Sequence, residues 1–376
     1  MIKWSHERSQ AFQETLLDWY DQNKRDLPWR RDHNPYHVWV SEIMLQQTQV
    51  QTVIPYYLRF MDQFPTVEDL ATATEDKLMK AWEGLGYYSR ARNLQKAARQ
   101  IVFDYQGRWP TTTEALQELS GIGPYTAGAI ASIAFGQPVA AVDGNAFRVF
   151  SRLLEIDDDI AKPQTRKVFE RIINLIIPKA RPGDFNQAIM DLGASYMTAT
   201  NYDTSQSPVK DFNQSYQDGI EDHYPVKTKK KRPIAHDYFG LIIHSKQGYL
   251  FEKRPSHGIL ANFWMFPLFD RENLTDEKAT PESMLVGKIE ARLQSEYQLS
   301  ADLHAVDVPT VTHTFTHQKW KIKLLEAQVA DNIDVSYFPG KWIHSSKFDQ
   351  MTFSKVQSKL WLAYQKASKS TQSVGD

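Results

Sequence analysis

The chain has 376 residues, 41% of them hydrophobic and 24% charged, with a formal net charge of −1. That length accommodates two domains with real cores, and that charge excludes a global basic field, so any nucleic-acid contact rests on local patches and oriented backbone groups. Cysteine is absent, which excludes disulfides and thiolate-held metal or iron–sulfur centres. No run is apolar enough for a signal peptide or a membrane span, so a cytoplasmic protein without membrane contact is expected.

Phe12, Leu16, Leu17 and the pair Trp19-Tyr20 recur at helical spacing in residues 8–23, predicting a packing helix that ends at Asp21-Gln22-Asn23. Leu27-Pro28-Trp29-Arg30 reads as a turn carrying an aromatic. Residues 36–60 hold Val38, Ile43, Leu45, Val50, Val53 and Ile54 in a helical pattern ending near Pro55. Glu42 lies inside it. On a core-facing helix its charged form is costly, so the side chain keeps a proton at neutral pH as a general acid must; on the solvent face it is an ordinary surface glutamate. Gln46, Gln47 and Thr48 follow one turn later and read, from composition alone, as polar surface. Residues 65–107 read as two helices around the glycine-marked turn Gly84-Leu85-Gly86-Tyr87-Tyr88, with Arg90, Arg92 and Lys96 on a stripe that either meets phosphates or is solvated.

Leu116 and Leu119 share a helical face ahead of Ser120-Gly121-Ile122-Gly123-Pro124-Tyr125-Thr126-Ala127, and a small-residue helical stretch runs on to Ala134. The pattern is helix, tight turn, helix. Gly121 and Gly123 permit φ > 0 and leave no side chains in the way, and Pro124 suits the first turn of the next helix. Such a hairpin directs unpaired N–H groups outward at a helix N-terminus, which fits an anion such as a DNA phosphate. Asp143, in Val142-Asp143-Gly144-Asn145, follows on a short non-helical segment where its carboxylate can face what the hairpin holds.

Taken in order, Leu27–Arg30, Trp39–Thr48, Gly84–Arg90, Leu119–Ala127 and Val142–Arg148 resemble the helix-hairpin-helix, Gly/Pro-Asp superfamily of base-excision DNA glycosylases, and within it the adenine glycosylases, over roughly the first 200 residues. The resemblance implies an α+β multidomain chain, an all-α glycosylase domain followed by a MutT/Nudix-like α/β domain. It assigns adenine protonation to Glu42 and the sugar-facing anion to Asp143, with Tyr125 and Asn145 orienting Asp143. Arg30 reaches the target-base pocket, Gln47 and Thr48 enter the opened duplex, and Leu85, Tyr87 and Tyr88 wedge or stack, though core packing claims at least one of the tyrosines. Gly121 and Gly123 meet the backbone phosphate. The implied partner is double-stranded DNA bearing adenine opposite 8-oxoguanine, met by a monomeric enzyme.

Residues 163–192 continue helical, and Gly193-Ala194 then opens the loop in which most relatives carry a [4Fe–4S] cluster on four cysteines. At the usual spacing this chain has Met197, Thr204, Ser207 and Asn213, none of them a thiolate. No cofactor is therefore expected, and residues 193–215 read as a remnant loop held by packing through Tyr196, Tyr202 and Phe212. The helical domain is set at 1–223. Residues 224–233, with five basic residues and two prolines, read as a linker that is either a solvated spacer or a phosphate-attracting strap.

Residues 234–365 change character: 238–244 and 248–251 read as strands joined by a Lys246-Gln247-Gly248 turn, and 262–267 and 311–317 continue the β pattern. This part resembles the MutT-like domain of the same glycosylases. A working Nudix hydrolase needs a glutamate-rich helix for magnesium, and Glu290–Leu299 is too poor in paired acids, so the domain is expected to bind rather than hydrolyse. Phe315-Thr316-His317 falls where the family inspects 8-oxoguanine, with Thr316 in place of the usual serine. The polar tail after Leu362 is expected to fray, with residues 366–376 set as a flexible tail outside the domain. The function so implied is monofunctional hydrolysis of the adenine N-glycosidic bond, because the position of a lyase lysine is Tyr125. The alternatives are an endonuclease III-like glycosylase and lyase for oxidised pyrimidines, a catalytically silent lesion-binding protein, and a nucleotide-pool hydrolase.

Overall fold

The computed structural model describes residues 4–200, 204–229, 232–275 and 280–372. The chain divides into two compact units, residues 1–81 with 89–229, and residues 82–88 with 230–376.

The first unit is helical throughout: α1 (His6–Asn23), α2 (Pro35–Leu45), α3 (Val50–Gln63), α4 (Val67–Thr72), α5 (Glu75–Ala81), α6 (Ser89–Arg99), α7 (Thr113–Leu116), α8 (Pro124–Phe135), α9 (Gly144–Leu154), α10 (Thr165–Ile176), α11 (Pro182–Ser195) and α12 (Gln214–Gln217). Phe12, Leu16 and Leu17 of α1 are buried together with Phe150 of α9, Phe169 of α10 and Phe185 of α11. The stretch expected as one helix over 36–60 is two. Pro55 sits inside α3, and the chain breaks at Gln46–Gln49, where Gln47 takes a left-handed φ of 58°. That conformation is uncommon for a residue with a Cβ and costs on the order of 1 kcal/mol or more.

Among the described residues, the second unit has eight strands: β1 (Ile234–Ser245), β2 (Gly248–Lys253), β3 (Trp264–Met265), β4 (Leu268–Asp270), β5 (His304–Ala305), β6 (Val311–Thr314), β7 (Gln318–Gln328) and β8 (Gly340–Ile343). The sheet runs β3-β2-β1-β7-β5, with β4 on β1, β6 on β7 and β8 on β2. Its spine is the parallel pairing of β1 with β7, from Ile234 opposite Gln318 to His244 opposite Gln328. Residues Phe239–Ile243 of β1 are buried without alternation, as a central strand covered on both faces requires. Leu285, Ile289 and Leu293 of α13 (Glu282–Tyr297) join the β1 side chains Leu241 and Ile243 in one core. In α14 (Lys355–Gln372), Val356, Leu360 and Tyr364 are buried. The helix continues past Leu362, where fraying was expected; residues 373–376 lie outside the described part.

The basic stretch after Tyr224 is not a free spacer at its start. Val226 O accepts from Ile160 N at 3.0 Å, and Thr228 bonds Asp159 through its amide at 3.1 Å and its hydroxyl at 2.6 Å. Lys230 and Lys231 lie outside the described residues. Among the described residues, no helix is long and apolar enough to cross a membrane.

Candidate active site

Glu42 occupies the third turn of α2, between Ser41 and Ile43, and is 5% exposed. Burial is the main force on it and lifts its pKa to about 7; the nearby Asp143 adds to the rise, while the Tyr125 hydroxyl and the Arg30 cation oppose it. Tyr125, in the first turn of α8, donates its hydroxyl to Glu42 Oε2. This corrects the expected role beside Asp143. The helix of Tyr125 packs against the helix of Glu42, so the phenol reaches the glutamate first, and burial raises the phenol's own pKa well above the ordinary range.

Asp143 is placed by an irregular segment whose backbone is satisfied from outside. Ala140 N donates to Asn174 Oδ1 at 2.7 Å and Ala141 N to the buried Asn186 Oδ1 at 3.1 Å, while Arg166 Nη1 donates to Val142 O. Gly128 of α8 lets this segment lie close, since a Cβ there would stand 2.3 Å from Ala140 O. Asp143 then caps α9. Its Oδ1 accepts from Asn145 N at 2.9 Å and Ala146 N at 2.8 Å, and its Oδ2 from Asn145 Nδ2 at 2.6 Å. Burial raises this carboxyl too, against the pull of those three N–H donors and of Arg148. Both acids are therefore lifted, Asp143 included, to which the resemblance assigned the anion. Three donors on Asp143 against one on Glu42 still make Asp143 the site's preferred anion.

Asn145 is itself held. Arg148 Nη2 donates to Asn145 Oδ1 at 2.5 Å and to Gly193 O at 3.0 Å, and Arg148 Nε to Met197 O at 3.0 Å. Arg148 was given no role from the sequence; its spacing of three from Asn145, on one helical face, was the available signal. Arg30 is in the turn after Leu27, 12% exposed, with its guanidinium on Asp191 of α11.

The hairpin takes the expected form with one difference. Gly121 has φ of 76° and would carry its Cβ 2.6 Å from Asn93 Cβ, so a side chain is excluded there. Gly123 has φ of −89° and N-caps α8 in extended backbone, without any side-chain cap on the helix. It needs no left-handed freedom; the missing side chain leaves the helix N-terminus open. Of the residues after Glu42, Gln47 is exposed and Thr48 half-buried. Of the basic stripe, Arg90 and Arg92 are spent internally, while Lys96 is exposed. Arg90 donates to the carbonyls of Ile43, Met44 and Gln46 at 2.6–3.2 Å, closing the end of α2, and Arg92 pairs with Glu75 at 2.7 Å.

Met197, Thr204, Ser207 and Asn213 are all buried. Asn213 Nδ2 donates to Thr204 Oγ1 at 2.9 Å and to Glu221 Oε1 at 3.0 Å, Thr204 Oγ1 donates to the same Glu221 oxygen at 2.5 Å, and Ser215 Oγ to Asn213 Oδ1 at 3.0 Å. A thioether, two hydroxyls and an amide, two of them consumed by this network, do not fit an iron–sulfur cluster. Packing by Tyr196 against Trp19 and by Phe212 against Phe12 supplements the network; Tyr202 lies outside the described residues.

The second unit holds the remaining candidates. Phe315, Thr316 and His317 form the tip between β6 and β7, closed by Phe315 N to Gln318 O at 2.7 Å, with Thr316 and His317 exposed and the Phe315 ring 4.8 Å from Trp320. Thr316 Oγ1 lies 3.1 Å from Tyr87 OH. Tyr87 is 49% exposed at a left-handed φ of 47°, whereas Leu85 and Tyr88 are buried, Tyr88 with its ring 4.4 Å from Phe263. Tyr88 is thus the packing tyrosine. The acids of α13 serve structure: Glu290 accepts from Leu303 N at 2.7 Å, Glu296 from Arg292 at 2.8 Å, and Glu282 pairs with Lys323 at 2.6 Å.

Residues 40–175 match the family described as HhH-GPD superfamily base excision DNA repair protein, and residues 238–363 match the NUDIX domain. The chain is 35% identical over 414 residues to an adenine DNA glycosylase of Homo sapiens, covering 94% of this chain and 74% of that protein. It is 38% identical over 265 residues to an adenine DNA glycosylase of Buchnera aphidicola subsp. Baizongia pistaciae (strain Bp), covering 70% and 75%. Among solved structures, a thermostable thymine-DNA glycosylase aligns with 56% of this chain and 98% of its own at TM-score 0.51 and 27% identity.

Because burial lifts Glu42 from 4.5 to about 7, the native state holds this proton more tightly than the unfolded chain does. Stability associated with it is present at low pH and is lost as pH rises through that interval. Glu42→Gln, which keeps an oxygen for Tyr125, is expected to stabilise the protein at pH 8 by on the order of 1–3 kcal/mol and by little near pH 4.5. Thermal denaturation at both pH values checks it; an equal change at each contradicts the assignment.

Proposed function

We propose that this chain, which belongs to the adenine DNA glycosylases, removes adenine paired with 8-oxoguanine in duplex DNA through acid catalysis by Glu42. That it is an adenine glycosylase, a hydrolase of the N-glycosidic bond, follows from its family; the residue roles and the opposing base are our reading. The observation that carries the reading is the pair of carboxyls with unlike surroundings, buried Glu42 able to keep a proton and half-buried Asp143 surrounded by N–H donors.

Adenine must leave the stack to be reached, at a cost on the order of a few kcal/mol. Glu42 gives its proton to N7, so the base departs neutral when the bond between N9 and C1′ breaks. Asp143, ionised, faces the oxocarbenium-like sugar and lowers its energy; water then bonds to C1′ and gives up a proton. One carboxyl donates and the other stabilises positive charge, which is the division used in glycoside hydrolysis generally. Tyr125 orients Glu42, and Asn145 with Arg148 orients Asp143. No amine stands in the hairpin for a Schiff base, which supports a monofunctional enzyme.

For the opposing base, support comes from the exposed tip Phe315-Thr316-His317. 8-Oxoguanine differs from guanine by a hydrogen on N7 and a carbonyl at C8. A hydroxyl and an imidazole supply an acceptor and a donor for that edge. We further propose that the enzyme acts without an iron–sulfur cluster, the loop after α11 being fastened by the Thr204, Asn213 and Glu221 network.

Single-turnover assays on duplexes with adenine opposite 8-oxoguanine, guanine or thymine are expected to show fastest release opposite 8-oxoguanine. Asp143→Asn is expected to lose at least about 10²-fold in rate, within the range assigned to positioned catalytic groups. Equal rates on all three duplexes would refute the lesion reading, and unimpaired Asp143→Asn would refute the mechanism. Chemical iron analysis of the purified protein is expected to find none; about four irons per chain, the content of one [4Fe–4S] cluster, would refute the cluster-free state.

A further inference from the structure

Arg30 is the one cation acting on Glu42 among the groups that face it: Tyr125 from α8, Asp143 at the start of α9, and Arg30 from the turn after Leu27. A guanidinium free to close on a buried carboxylate would pair with it and strip it of its proton. Here both Arg30 terminal nitrogens are engaged elsewhere. Nη1 donates to Asp191 Oδ2 at 2.7 Å and Nη2 to Asp191 Oδ1 at 3.1 Å, the end-on fork that fixes guanidinium position most firmly. Asp191 is 5% exposed, and Ser195 Oγ bonds its carbonyl at 2.8 Å within α11. Arg25 shares the same carboxylate, with Nε on Oδ1 at 2.8 Å, and is 39% exposed. Behind Arg30 the ring of Tyr20 lies 5.9 Å from the guanidinium.

Two cations therefore share one buried anion, and only the more deeply buried of them acts on Glu42. We propose that Asp191 is a positioning residue for excision: by holding and partly neutralising the Arg30 guanidinium it keeps that cation off Glu42 and preserves the proton Glu42 delivers. This rests on the reading of Glu42 as the acid. Asp191 touches neither base nor sugar in this role. Its effect passes entirely through Arg30, and Arg25 anchors it, so losing either end of the Arg30 contact has opposite consequences for Glu42.

The test is the pH dependence of single-turnover adenine release opposite 8-oxoguanine, pH 5 to 9, with the full chain. Excision requires protonated Glu42, so the rate falls on the alkaline side. In Asp191→Asn the released cation favours the carboxylate, and the alkaline limb is expected to move down by about one pH unit, with about tenfold slower release above it. Asp191→Glu is expected to restore the limb. Arg30→Met leaves Asp191 paired with Arg25 and is expected to move the limb up. A folded Asp191→Asn with an unmoved limb overturns the proposal. If that variant does not fold, Arg30→Met decides alone, an unmoved limb again overturning it. If the wild type releases no adenine at any pH, the functional reading fails. The same opposite shifts, read from the Glu42 side-chain carboxyl resonance by ¹³C NMR, then decide this proposal, and their absence overturns it.

Discussion

A carboxyl group kept out of water is the constraint on which the rest of the first unit turns. Glu42 is buried on α2, and taking a carboxylate from water is costly enough that a group so placed protonates instead. Keeping that proton requires that nearby positive charge be limited and fixed. The turn after Leu27, α8, the start of α9 and α11 each contribute to this arrangement. Tyr125 supplies a neutral donor where a lysine would supply a charge, and Arg30, the nearby cation, is bound to Asp191.

The second acid is treated in the opposite way within the same space. Asp143 is half-buried, and three N–H groups converge on it. It lies at a helix N-terminus, where the backbone dipole also favours an anion. Placing it there requires an irregular segment whose carbonyls and amides are met by Asn174, Asn186 and Arg166. Arg148 links this arrangement to Gly193 and Met197, so the Asp143 carboxylate and the loop after α11 form one hydrogen-bonded structure. Within that loop, the buried Thr204, Asn213 and Ser215 side chains bond one another and Glu221. Removing one partner of such a buried set leaves the others unpaired, costing roughly 1–3 kcal/mol each. The loop is thereby fastened by specific bonds as well as by apolar contact.

What was legible in the sequence was chiefly local. The hairpin, the helix carrying Glu42 and the placement of Asp143 after a short non-helical segment all follow from periodicity, glycine and proline positions, and residue chemistry. The two-part architecture was legible in the same way, because helical spacing gives way after Pro233 to short strand-forming runs joined by turns. What escaped was tertiary. Tyr125 lies closer in sequence to Asp143 than to Glu42, yet helix packing turns its hydroxyl to Glu42. Arg30 and Asp191 are 161 residues apart, and nothing in either neighbourhood announces the other. Arg90 looked available to phosphate because its partners are backbone carbonyls, which carry no residue signature. The break at Gln46–Gln49 escaped because the apolar pattern continues across it, while the left-handed Gln47 between the non-helical Gln46 and Gln49 separates α2 from α3.

The most direct measurement is a pH titration of the Glu42 side-chain carboxyl by ¹³C NMR in the free protein, with the resonance assigned against Glu42→Gln. A group buried as described titrates near 7. A midpoint near 4.5, the value of an ordinary exposed glutamate, would mean that Glu42 is ionised at neutral pH and cannot be the stored proton around which the site is arranged.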